Sequence, residues 1–561
     1  MRTPLALLAV AALLPGCGPA PQPADLILSA GRVYTLDESE PWAEAVAIRG
    51  GRIAAVGSDE EVLSRFRGQV FELGGRMVLP GFHDAHVHPT FGGIQLMQCD
   101  LSGSASAAAL TALVGACDAA LPDGDWLVGG GWELSLFPDA NPSKDLLDAI
   151  NADRPIFLRG ADGHSSWANS KALALAGIDA ETPNPPQGII ERDENGAPSG
   201  TLRESAQGLV EAIVPPLTAE DRLEATRQAV ALANQFGITS MIDAATSTDE
   251  WTAWQGLDAA GGLTARVVLS IPVSSPLTWT PDESLIRPED RGSGQRLRRD
   301  AAKLFVDGVL EGETAALLEP YLGEGGGTGM LILPADELAA RVVALDARGV
   351  QAHFHAIGDR AVRVALDAVE QAIEHNGPSD NRHHISHLQL IDPADYPRFA
   401  ALNVTANFQP LWAYPDGYVT DINLPAIGAE RVEGMYPVGS LERAGARIAA
   451  GSDWSVSSLN PLPAIETALT RQDATGEIEG TLNANEAVSL DTMLRAYTAN
   501  GAWLMHQEDE TGVIKPGMAA DLVVLEKDLF SIAAEEIGEV AVTMTLFEGA
   551  IVYRRPSQPQ P

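Results

Sequence analysis

Histidine pairs and isolated charged side chains occur inside short apolar segments of this chain. The first pair, His86 and His88, stands in the sequence DAHVH. Residues two apart on a strand point to the same side, so both imidazoles can converge on one metal ion. A His-x-His pair is a weak signal by itself, and a hydrogen-bonded structural pair is the alternative. Because the preceding VLPGFHD predicts the start of a strand after a Pro-Gly turn, the metal site is favoured.

Later apolar segments carry side chains of the same kind. They are Lys303 in AAKLFVDG, His353 and His355 in QAHFHAIGD, His387 in HHISHLQL and Asp453 in AAGSDW. A lysine inside an apolar strand is costly unless it is paired or modified. A lone buried histidine is more often a hydrogen-bonded core group than a ligand. Five such strand ends in one chain are hard to explain by structure alone, and together they predict a metal site.

Residues of about 81–500 alternate short apolar strands with amphipathic helices. ITSMIDA and RIAAGSDW are typical strands, and RAVRVALDAVEQAIEHNG is a typical helix whose end is predicted at Gly377 and Pro378. This alternation predicts an α/β fold, a (β/α)8 TIM-type barrel. Active sites of such barrels lie at the C-terminal ends of the strands, which is where the metal-binding side chains stand.

Both ends of the chain are rich in short alternating strands. Residues 25–80 contain DLILSAGRVYTL and QVFELGGRMVLP, and residues 501–555 contain ADLVVLE and VTMTLFEGAIVY. Neither piece carries enough strands alone, so a small β-sandwich formed from both chain ends is expected. Residues of about 95–220 fit the barrel pattern poorly and predict an insertion after the first barrel strand.

Residues 1–17 have the composition of a signal peptide. An arginine precedes an apolar run from Leu5 to Leu14 that is too short to span a membrane, and LPGC, ending at Cys17, resembles a bacterial lipobox. This resemblance implies cleavage before Cys17 and lipidation of its thiol, with residues 18–24 as a Pro-rich tether. The protein would be an exported lipoprotein on the periplasmic face of the inner or outer membrane, or on the cell surface. An ordinary secretory signal is the alternative.

The composition excludes some partners. The formal net charge is −39, from 37 basic and 76 acidic residues. Such a surface repels polyphosphate, so we expect no nucleic-acid partner, and a lipid anchor is the only membrane contact predicted.

The other cysteines, Cys99 and Cys117, could form a disulfide in an oxidising compartment, and two buried thiols are an equally good interpretation.

The combination of PGFHDAHVH, GHSSWANSKAL, KLFVDG, HAIGD and GSDW resembles the amidohydrolase superfamily, and within it the amidohydrolase-3 (YtcJ-like) branch, which includes N-substituted formamide deformylases. The resemblance covers nearly all of residues 25–555. It implies ligands on the first, fourth, fifth, sixth and eighth barrel strands: His86, His88, Lys303, His355, His387 and Asp453. In such enzymes the lysine can be carbamylated and bridge two ions, and the aspartate is also the general base. A neutral lysine paired with an acid stays open.

The remaining histidines receive smaller roles from the same resemblance. His353 is expected to be structural or to support a ligand, and no role is assigned to His83. His383 and His384 are expected beside the sixth strand and not among the ligands. Ser386 occupies a position where the family often has Glu, which affects only the surroundings of the ligands.

The predicted function is hydrolysis of a non-peptide C–N bond in a small amide or N-acyl compound. A divalent ion lowers the pKa of bound water to about 7, so that hydroxide forms at neutral pH. Asp453 would take the proton of that water and later give it to the leaving nitrogen. Histidine-rich ligation suits one or two zinc ions, although iron, manganese and cobalt are also compatible. His164 in the insertion is a candidate catalytic or substrate-binding residue, with a loop-stabilising role as the alternative. Asp307 and Gln409 are weaker candidates for substrate binding.

Two other functions are compatible with these residues. The same metal centre could hydrolyse an ester, a lactone or a dipeptide. The chain could also be a catalytically inactive, lipid-anchored binding protein, although the presence of every expected ligand type argues against this. A homodimer is expected from the family resemblance only.

Overall fold

Eight parallel strands form a barrel sheet in the computed structural model, which describes residues 20–122, 124–274, 282–292, 294–323 and 326–556. The strands follow chain order around the sheet. From first to eighth they are Phe82–Val87, Ile238–Asp243, Arg266–Pro272, Leu297–Phe305, Gln351–Ala356, His384–His387, Thr405–Phe408 and Ile448–Ala450. The predicted (β/α)8 barrel is therefore confirmed.

Hydrogen bonds beyond the strand ends bring the eighth strand to the first. The Asp453 amide donates to the His86 carbonyl at 2.7 Å, and the His88 amide donates to the Trp454 carbonyl at 2.9 Å. Every residue of the first strand and of the second strand is buried, as expected for parallel strands covered on both faces. The closure places the two ends of the barrel sequence beside each other at the C-terminal face.

Helices cover the outside of the barrel and join its strands. The helix Asp359–Asn376 buries an apolar stripe that includes Val362, Leu366 and Val369 and ends before Gly377, whose φ of 85° no longer continues the helix. The predicted stop at Gly377 is confirmed. The α-helices of the described residues are Asp59–Arg65, Pro89–Met97, Ala107–Ala120, Lys144–Asp148, Ser170–Ala176, Gly208–Glu211, Ala219–Gln235, Thr248–Ala259, Ala335–Ala347, Asp359–Asn376, Tyr396–Ala401, Leu424–Ile427, Ala429–Val432, Val438–Arg443, Pro461–Thr470, Leu490–Ala496 and Ala499–Leu504.

Shorter helical turns lie mostly in the loops. A π-helical segment, Tyr418–Asn423, follows the seventh strand. The 3₁₀ turns are Leu134–Leu136, Pro138–Ala140, Ser205–Gln207, Glu283–Leu285, Pro288–Asp290, Pro393–Asp395, Pro410–Trp412, Ala484–Glu486, Leu529–Ser531 and Ala534–Glu536.

Two further sheets hold both chain ends. The first contains Arg52–Gly57, Ala45–Arg49, Gln22–Ser29 and Phe66–Glu72, in that spatial order. The second contains Ala550–Arg554, Val542–Phe547, Leu522–Leu525, Met77–Pro80, Arg32–Tyr34 and Trp42–Ala43. Apolar side chains from both sheets share one buried cluster, as a sandwich of two chain ends requires. In the first of these sheets the strand Gln22–Ser29 begins at Gln22, because Gln22 and Pro23 pair with Phe66 and Arg67. The last residues of the predicted tether over 18–24 therefore belong to this strand.

A buried arginine on the third barrel strand ties the barrel to the second of these sheets. Arg266 contacts the carboxylates of Asp521 at 3.0 Å, Glu548 at 3.0 Å and Glu510 at 3.3 Å. Asp521 is fully buried, so its charge needs this partner. The contact fixes the position of the sandwich against the end of the barrel opposite the strand termini that carry the histidines.

The insertion between the first and second barrel strands has its own six-stranded sheet. In spatial order its strands are Gly188–Arg192, Pro198–Glu204, Ser165–Ala168, Ile156–Gly160, Leu127–Trp132 and Cys99–Asp100. Cys99 forms a disulfide with Cys117 on the helix Ala107–Ala120. Of the two interpretations left open for these cysteines, the structure therefore has the disulfide and not two buried thiols.

We expect the double substitution Cys99→Ser/Cys117→Ser to lower the free energy of unfolding by about 3 kcal/mol. The disulfide closes a loop with a sequence separation of 18, and a cross-link of that length restricts the unfolded chain by roughly this amount. Thermal unfolding of both proteins under non-reducing conditions measures the difference. Equal melting temperatures would show that the bridge does not form in solution.

No described helix is both long and apolar enough to cross a bilayer. The predicted signal peptide and Cys17 lie outside the described residues.

Candidate metal centre

The predicted ligand residues meet at the C-terminal face of the barrel. His86 and His88 come from the first strand and the residue after it, His355 from the fifth, His387 from the sixth, and Asp453 from the turn after the eighth. Metal-binding atoms of His86, His387 and Asp453 all lie within 4.8 Å of one another, and the three side chains are buried. Five positions spread over more than 360 residues of sequence thus converge on one place.

The Asp453 carboxylate lies at the centre of this group. Its Oδ1 atom is 3.4 Å from His86 Nε2 and 3.2 Å from His88 Nε2, and its Oδ2 atom is 3.7 Å from His387 Nδ1. Although buried, Oδ1 makes no hydrogen bond with any described residue. A buried carboxylate oxygen that faces two imidazole nitrogens without hydrogen-bonding to them fits a site for a cation.

Each buried histidine uses one ring nitrogen for a structural contact, which leaves the other for a ligand. His86 Nδ1 contacts His353 Nε2 at 2.8 Å, His355 Nε2 contacts the Gly308 carbonyl at 3.1 Å, and His387 Nδ1 contacts Gln409 Oε1 at 2.9 Å. Burial holds the pKa of His86, His355 and His387 well below the ordinary value, to about 3 for His387. Neutral, oriented imidazoles are the form that binds divalent ions, so the residues fit a metal.

His353 connects the first strand to the barrel interior beneath the centre. In addition to His86, its ring contacts Ser270 Oγ at 2.9 Å and Ser386 Oγ at 3.0 Å. These contacts orient the ring that in turn orients His86. This is the supporting position expected for His353, and the residue makes no direct approach to Asp453.

We expect His353→Ala to weaken metal binding by about 10-fold to 100-fold without abolishing it. Loss of a residue that orients a ligand histidine typically has this effect. Competition with a metal-binding dye measures the affinity, and the exposed His375→Ala is the matched control. An unchanged affinity in a folded His353→Ala protein would mean that the His86 ring is held by other contacts.

Lys303 is the buried cation of the centre. Its Nζ atom lies 3.4 Å from His86 Nε2, and the side chain is 1% exposed. No carboxylate of the described residues lies within 4.0 Å of it. Burial lowers the pKa of this amine to about 7, although the charges of Asp453 and Asp243 oppose the shift. The acid-paired neutral lysine left open by the sequence therefore has no partner in the described structure.

His164 reaches the same face from the insertion. Its ring lies 5.1 Å from the ring of His355, measured between centroids, and its Nδ1 atom contacts Glu204 Oε2 at 2.9 Å. Burial lowers the pKa of His164, but the charge and hydrogen bond of Glu204 outweigh it and raise the pKa to about 9. Thr314, in the loop after the fourth strand, donates its hydroxyl to Glu204 Oε1 at 2.9 Å. The insertion thus supplies an oriented imidazole beside the predicted ligands.

The two weaker candidates lie in different surroundings from those expected of substrate contacts. Both Asp307 carboxylate oxygens accept backbone hydrogen bonds, from the amides of Ala316, Ile357 and Gly358. The side chain is fully buried and holds the loops after the fourth and fifth strands together, and the substrate-binding role of Asp307 stays a prediction. Gln409 contacts His387 and thereby orients a ligand; its Nε2 atom is buried without a described partner.

The other histidines lie outside the group of ligands. His83 Nδ1 contacts the Gly81 carbonyl at 3.1 Å, and His383 contacts Asp346 at 3.2 Å. His384 packs against His353 in the barrel interior, with 4.1 Å between ring centroids. None of these three approaches Asp453, in line with the absence of a predicted role.

Three acidic residues near the centre were not identified from the sequence. Asp84 Oδ1 accepts hydrogen bonds from the amides of His86 and Ser452, and so joins the first strand to the turn before Asp453. Asp243 ends the second strand, where ITSMIDA could have signalled it, and accepts a hydrogen bond from Trp254. Glu204 has a φ of 49° and a ψ of −129°, a backbone conformation that the sequence does not indicate for a glutamate.

Comparison with known protein families gives one extensive match. The model described as "Amidohydrolase family" matches residues 69–553, which include every predicted ligand. A model described as "Imidazolonepropionase-like composite domain, bacteria" matches residues 45–68, within the sandwich.

Similar proteins align over nearly their whole length. The chain is 30% identical to the YtcJ protein of Bacillus subtilis over 536 residues, with 94% of this chain and 98% of that protein covered. It is 28% identical to N-substituted formamide deformylase of Arthrobacter pascens, with 95% and 98% covered. Among solved structures, an uncharacterised metal-dependent hydrolase of Pyrococcus horikoshii superimposes with a TM-score of 0.70 at 24% identity, with 91% of this chain and 99% of that chain covered. The last comparison supports the fold.

Proposed function

The chain belongs to the amidohydrolase family, whose members include metal-dependent hydrolases acting on C–N bonds other than peptide bonds, and from this premise we propose that it hydrolyses the amide or N-acyl bond of a small molecule. One observation supports the proposal most strongly. The buried Asp453 carboxylate faces His86 and His88 with Oδ1, which no described residue satisfies by a hydrogen bond, and faces His387 with Oδ2. This arrangement suits a hydrolytic metal site.

The residues that would hold one or two divalent ions are those at the strand ends: His86, His88, Lys303, His355, His387 and Asp453. We expect zinc, because four of the six are histidines. When bound, such an ion lowers the pKa of a water molecule and withdraws electrons from the substrate carbonyl.

Asp453 is the proton carrier of the proposal. Burial raises its pKa, but the close approach of the His88 ring and the charge of His387 outweigh this, so the pKa lies below the ordinary value. The carboxylate is therefore ionised at neutral pH and can take the proton of the attacking water. It then gives that proton to the nitrogen as the C–N bond breaks, and the products are a carboxylate and an amine.

Lys303 has the properties of a lysine that reacts with carbon dioxide. With a pKa of about 7, an appreciable fraction of its amine is neutral at physiological pH, and only the neutral amine can form a carbamate. A carbamate on Lys303 would replace a buried cation next to His86 by an anionic group able to hold a metal ion. It would also remove the cost of an unpaired buried ammonium.

His164 is the proposed substrate contact. Its Nδ1 atom is held by Glu204, so the opposite ring nitrogen is available to the substrate carbonyl or the leaving group. The residue is contributed by the insertion, so the insertion would act as a wall of the active site as well as a structural domain.

We also propose that the protein is exported and anchored to a membrane by a lipid. LPGC at residues 14–17 supports lipidation of Cys17 and export. The Cys99–Cys117 disulfide agrees with an oxidising compartment.

Hydrolysis assays test the proposed reaction. Purified full-length protein, loaded with zinc or manganese, is offered N-substituted formamides and acetamides, with matched esters, lactones and dipeptides. We expect release of amine from the amides that is lost with chelation and restored by metal. Faster turnover of esters or dipeptides than of amides would show that the enzyme cleaves one of those bonds instead of the proposed amide bond. No turnover of any of these compounds by a metal-loaded protein would favour a binding function.

A further inference from the structure

Four exposed arginines lie at one end of the first sheet of the sandwich and are defined here as the anchor face. Arg49 and Arg52 flank the turn between two antiparallel strands and pair with each other across it. Arg65 is the last residue of the helix Asp59–Arg65, and Arg67 stands near the start of the strand that follows directly. All four side chains are exposed to solvent.

The register of the strands brings these arginines to the same end of the sheet. Gln22 pairs with Phe66, the residue before Arg67, at the start of two parallel strands. Arg49 Nη1 donates to Gln22 Oε1 at 3.2 Å, so the turn that carries Arg49 lies beside the start of the Gln22 strand. The polypeptide that leads from Cys17 therefore enters the sandwich within the anchor face.

The anchor face carries an excess of positive charge. No carboxylate oxygen of the described residues lies within 4.0 Å of a guanidinium nitrogen of its four arginines. Asp25 lies beside the turn, where its carboxylate accepts a hydrogen bond from the Gly50 amide at 2.6 Å. The acidic residues Asp59, Glu60 and Glu61 stand at the opposite end of the helix that finishes in the anchor face. In a chain with 37 basic and 76 acidic residues, four arginines without an acidic partner indicate an anionic binding partner outside the chain.

The segment between Cys17 and Gln22 is too short to hold the sandwich far from a membrane. Its five peptide units extend at most about 18 Å. A lipid on Cys17, as proposed, therefore keeps Gln22 within that distance of the lipid surface, and Arg49 contacts Gln22 directly. Anionic phospholipids attract each basic side chain that comes within about 8 Å of them at physiological ionic strength. The short connection and the charge of the anchor face thus indicate the same partner.

We propose that the anchor face docks on the anionic phospholipid headgroups of the membrane that holds the Cys17 lipid. This inference rests on the proposed lipidation and not on the proposed reaction. The barrel packs on the second sheet of the sandwich, as in the hydrogen bond from Thr545 Oγ1 to the Asn234 carbonyl at 2.7 Å. Docking through the first sheet therefore orients the protein with its metal centre away from the lipid.

Quenching of a fluorescent label by lipid tests the inference with the mature lipoprotein. The purified protein is reconstituted into vesicles of phosphatidylcholine, with or without phosphatidylglycerol, that contain a phospholipid with a nitroxide on its headgroup. Ser64→Cys places the label on the helix that ends in the anchor face, and Leu175→Cys, at a position 52% exposed, places it in the insertion. Because Cys17 is lipidated and Cys99–Cys117 is a disulfide, the added thiol is the one that takes the label.

We expect quenching of the Ser64 label to be about three-fold stronger in the vesicles with phosphatidylglycerol, because each arginine near an anionic surface contributes to the attraction. The difference should disappear in about 1 M salt, which screens the charges. The Leu175 label should be quenched weakly in both kinds of vesicle.

Two matched variants assign the effect to the anchor face. Arg49→Gln/Arg65→Gln/Arg67→Gln is expected to lose the difference between the two kinds of vesicle. A control variant removes the same charge from three exposed arginines elsewhere and is expected to keep the difference; it is Arg227→Gln/Arg348→Gln/Arg443→Gln. Circular dichroism checks that both variants are folded.

Three results would overturn the inference. One is equal quenching of the Ser64 label in the two kinds of vesicle, or a difference that persists in the anchor-face variant. Another is energy transfer between labelled copies that does not require phosphatidylglycerol, which would assign the anchor face to a second copy of the chain. The third is the absence of a diacylglyceryl group from Cys17 by mass spectrometry, which would remove the proposed anchor as well. None of these measurements depends on hydrolysis, so a failure of the proposed reaction is distinguished from a failure of docking.

Discussion

Asp453→Asn is expected to lower kcat/KM for amide hydrolysis by roughly 1,000-fold or more. The substitution replaces one of the two oxygens that approach His86, His88 and His387 by an amide nitrogen, and it removes the carboxylate that exchanges a proton with the water and the leaving nitrogen. General acid–base catalysis alone contributes about 100-fold to 10,000-fold, and a weakened metal site adds to the loss. Steady-state kinetics at saturating metal measure the effect.

The matched control for this prediction is the exposed Asp509→Asn, which changes the same chemistry at the surface and should leave kcat/KM within two-fold. Asparagine has nearly the shape of aspartate, so we expect the circular dichroism spectrum of Asp453→Asn to match that of the wild-type protein. A folded Asp453→Asn protein that retains more than a tenth of the activity would exclude Asp453 as the proton carrier.

Lys303→Ala is expected to lower activity by about 100-fold or more, and a short carboxylic acid such as propionate should restore part of it. The side chain is buried beside His86, so its removal leaves a space at the centre. If the carbamate is the functional form, an added carboxylate can replace it as an anionic ligand. Activity of the metal-loaded variant is measured with and without propionate.

Lys303→Arg distinguishes the carbamate from a simple positive charge. Arginine keeps the charge but does not form a carbamate, so we expect it to be as inactive as Lys303→Ala. Carbon-13 NMR of the wild-type protein grown with labelled bicarbonate should show a carbamate resonance that both variants lack. Full activity in Lys303→Arg, or no resonance in active wild-type protein, would contradict carbamylation.

The sequence predicted the barrel because its strands have both faces buried and end in polar side chains. His355 and His387 are examples: each lies at or next to the C-terminal end of a short buried strand, and the C-terminal ends of neighbouring parallel strands must meet. Gly377 marked a helix end for a local reason, since its φ of 85° is disfavoured for other residues. Features set by local geometry or by strand order were therefore accessible.

Features that depend on contacts between distant segments could not be predicted from the sequence. Glu204 contacts His164, which is 40 residues away in the sequence, and accepts a hydrogen bond from Thr314, which is 110 residues away. No local pattern connects these residues. Asp307 shows the converse: its position after the fourth strand predicted a substrate contact, but three backbone amides occupy its carboxylate. Which group satisfies a buried carboxylate is decided by the tertiary structure.

The central claim is that these strand ends hold a catalytic metal, and metal content tests it most directly. Elemental mass spectrometry of the full-length protein is compared with that of His86→Ala/His88→Ala and of the exposed His375→Ala. We predict one to two equivalents of zinc or a similar ion in the wild-type and His375→Ala proteins, lost in the double variant. Absence of metal from folded wild-type protein after supplementation with zinc, manganese and bicarbonate would contradict the account.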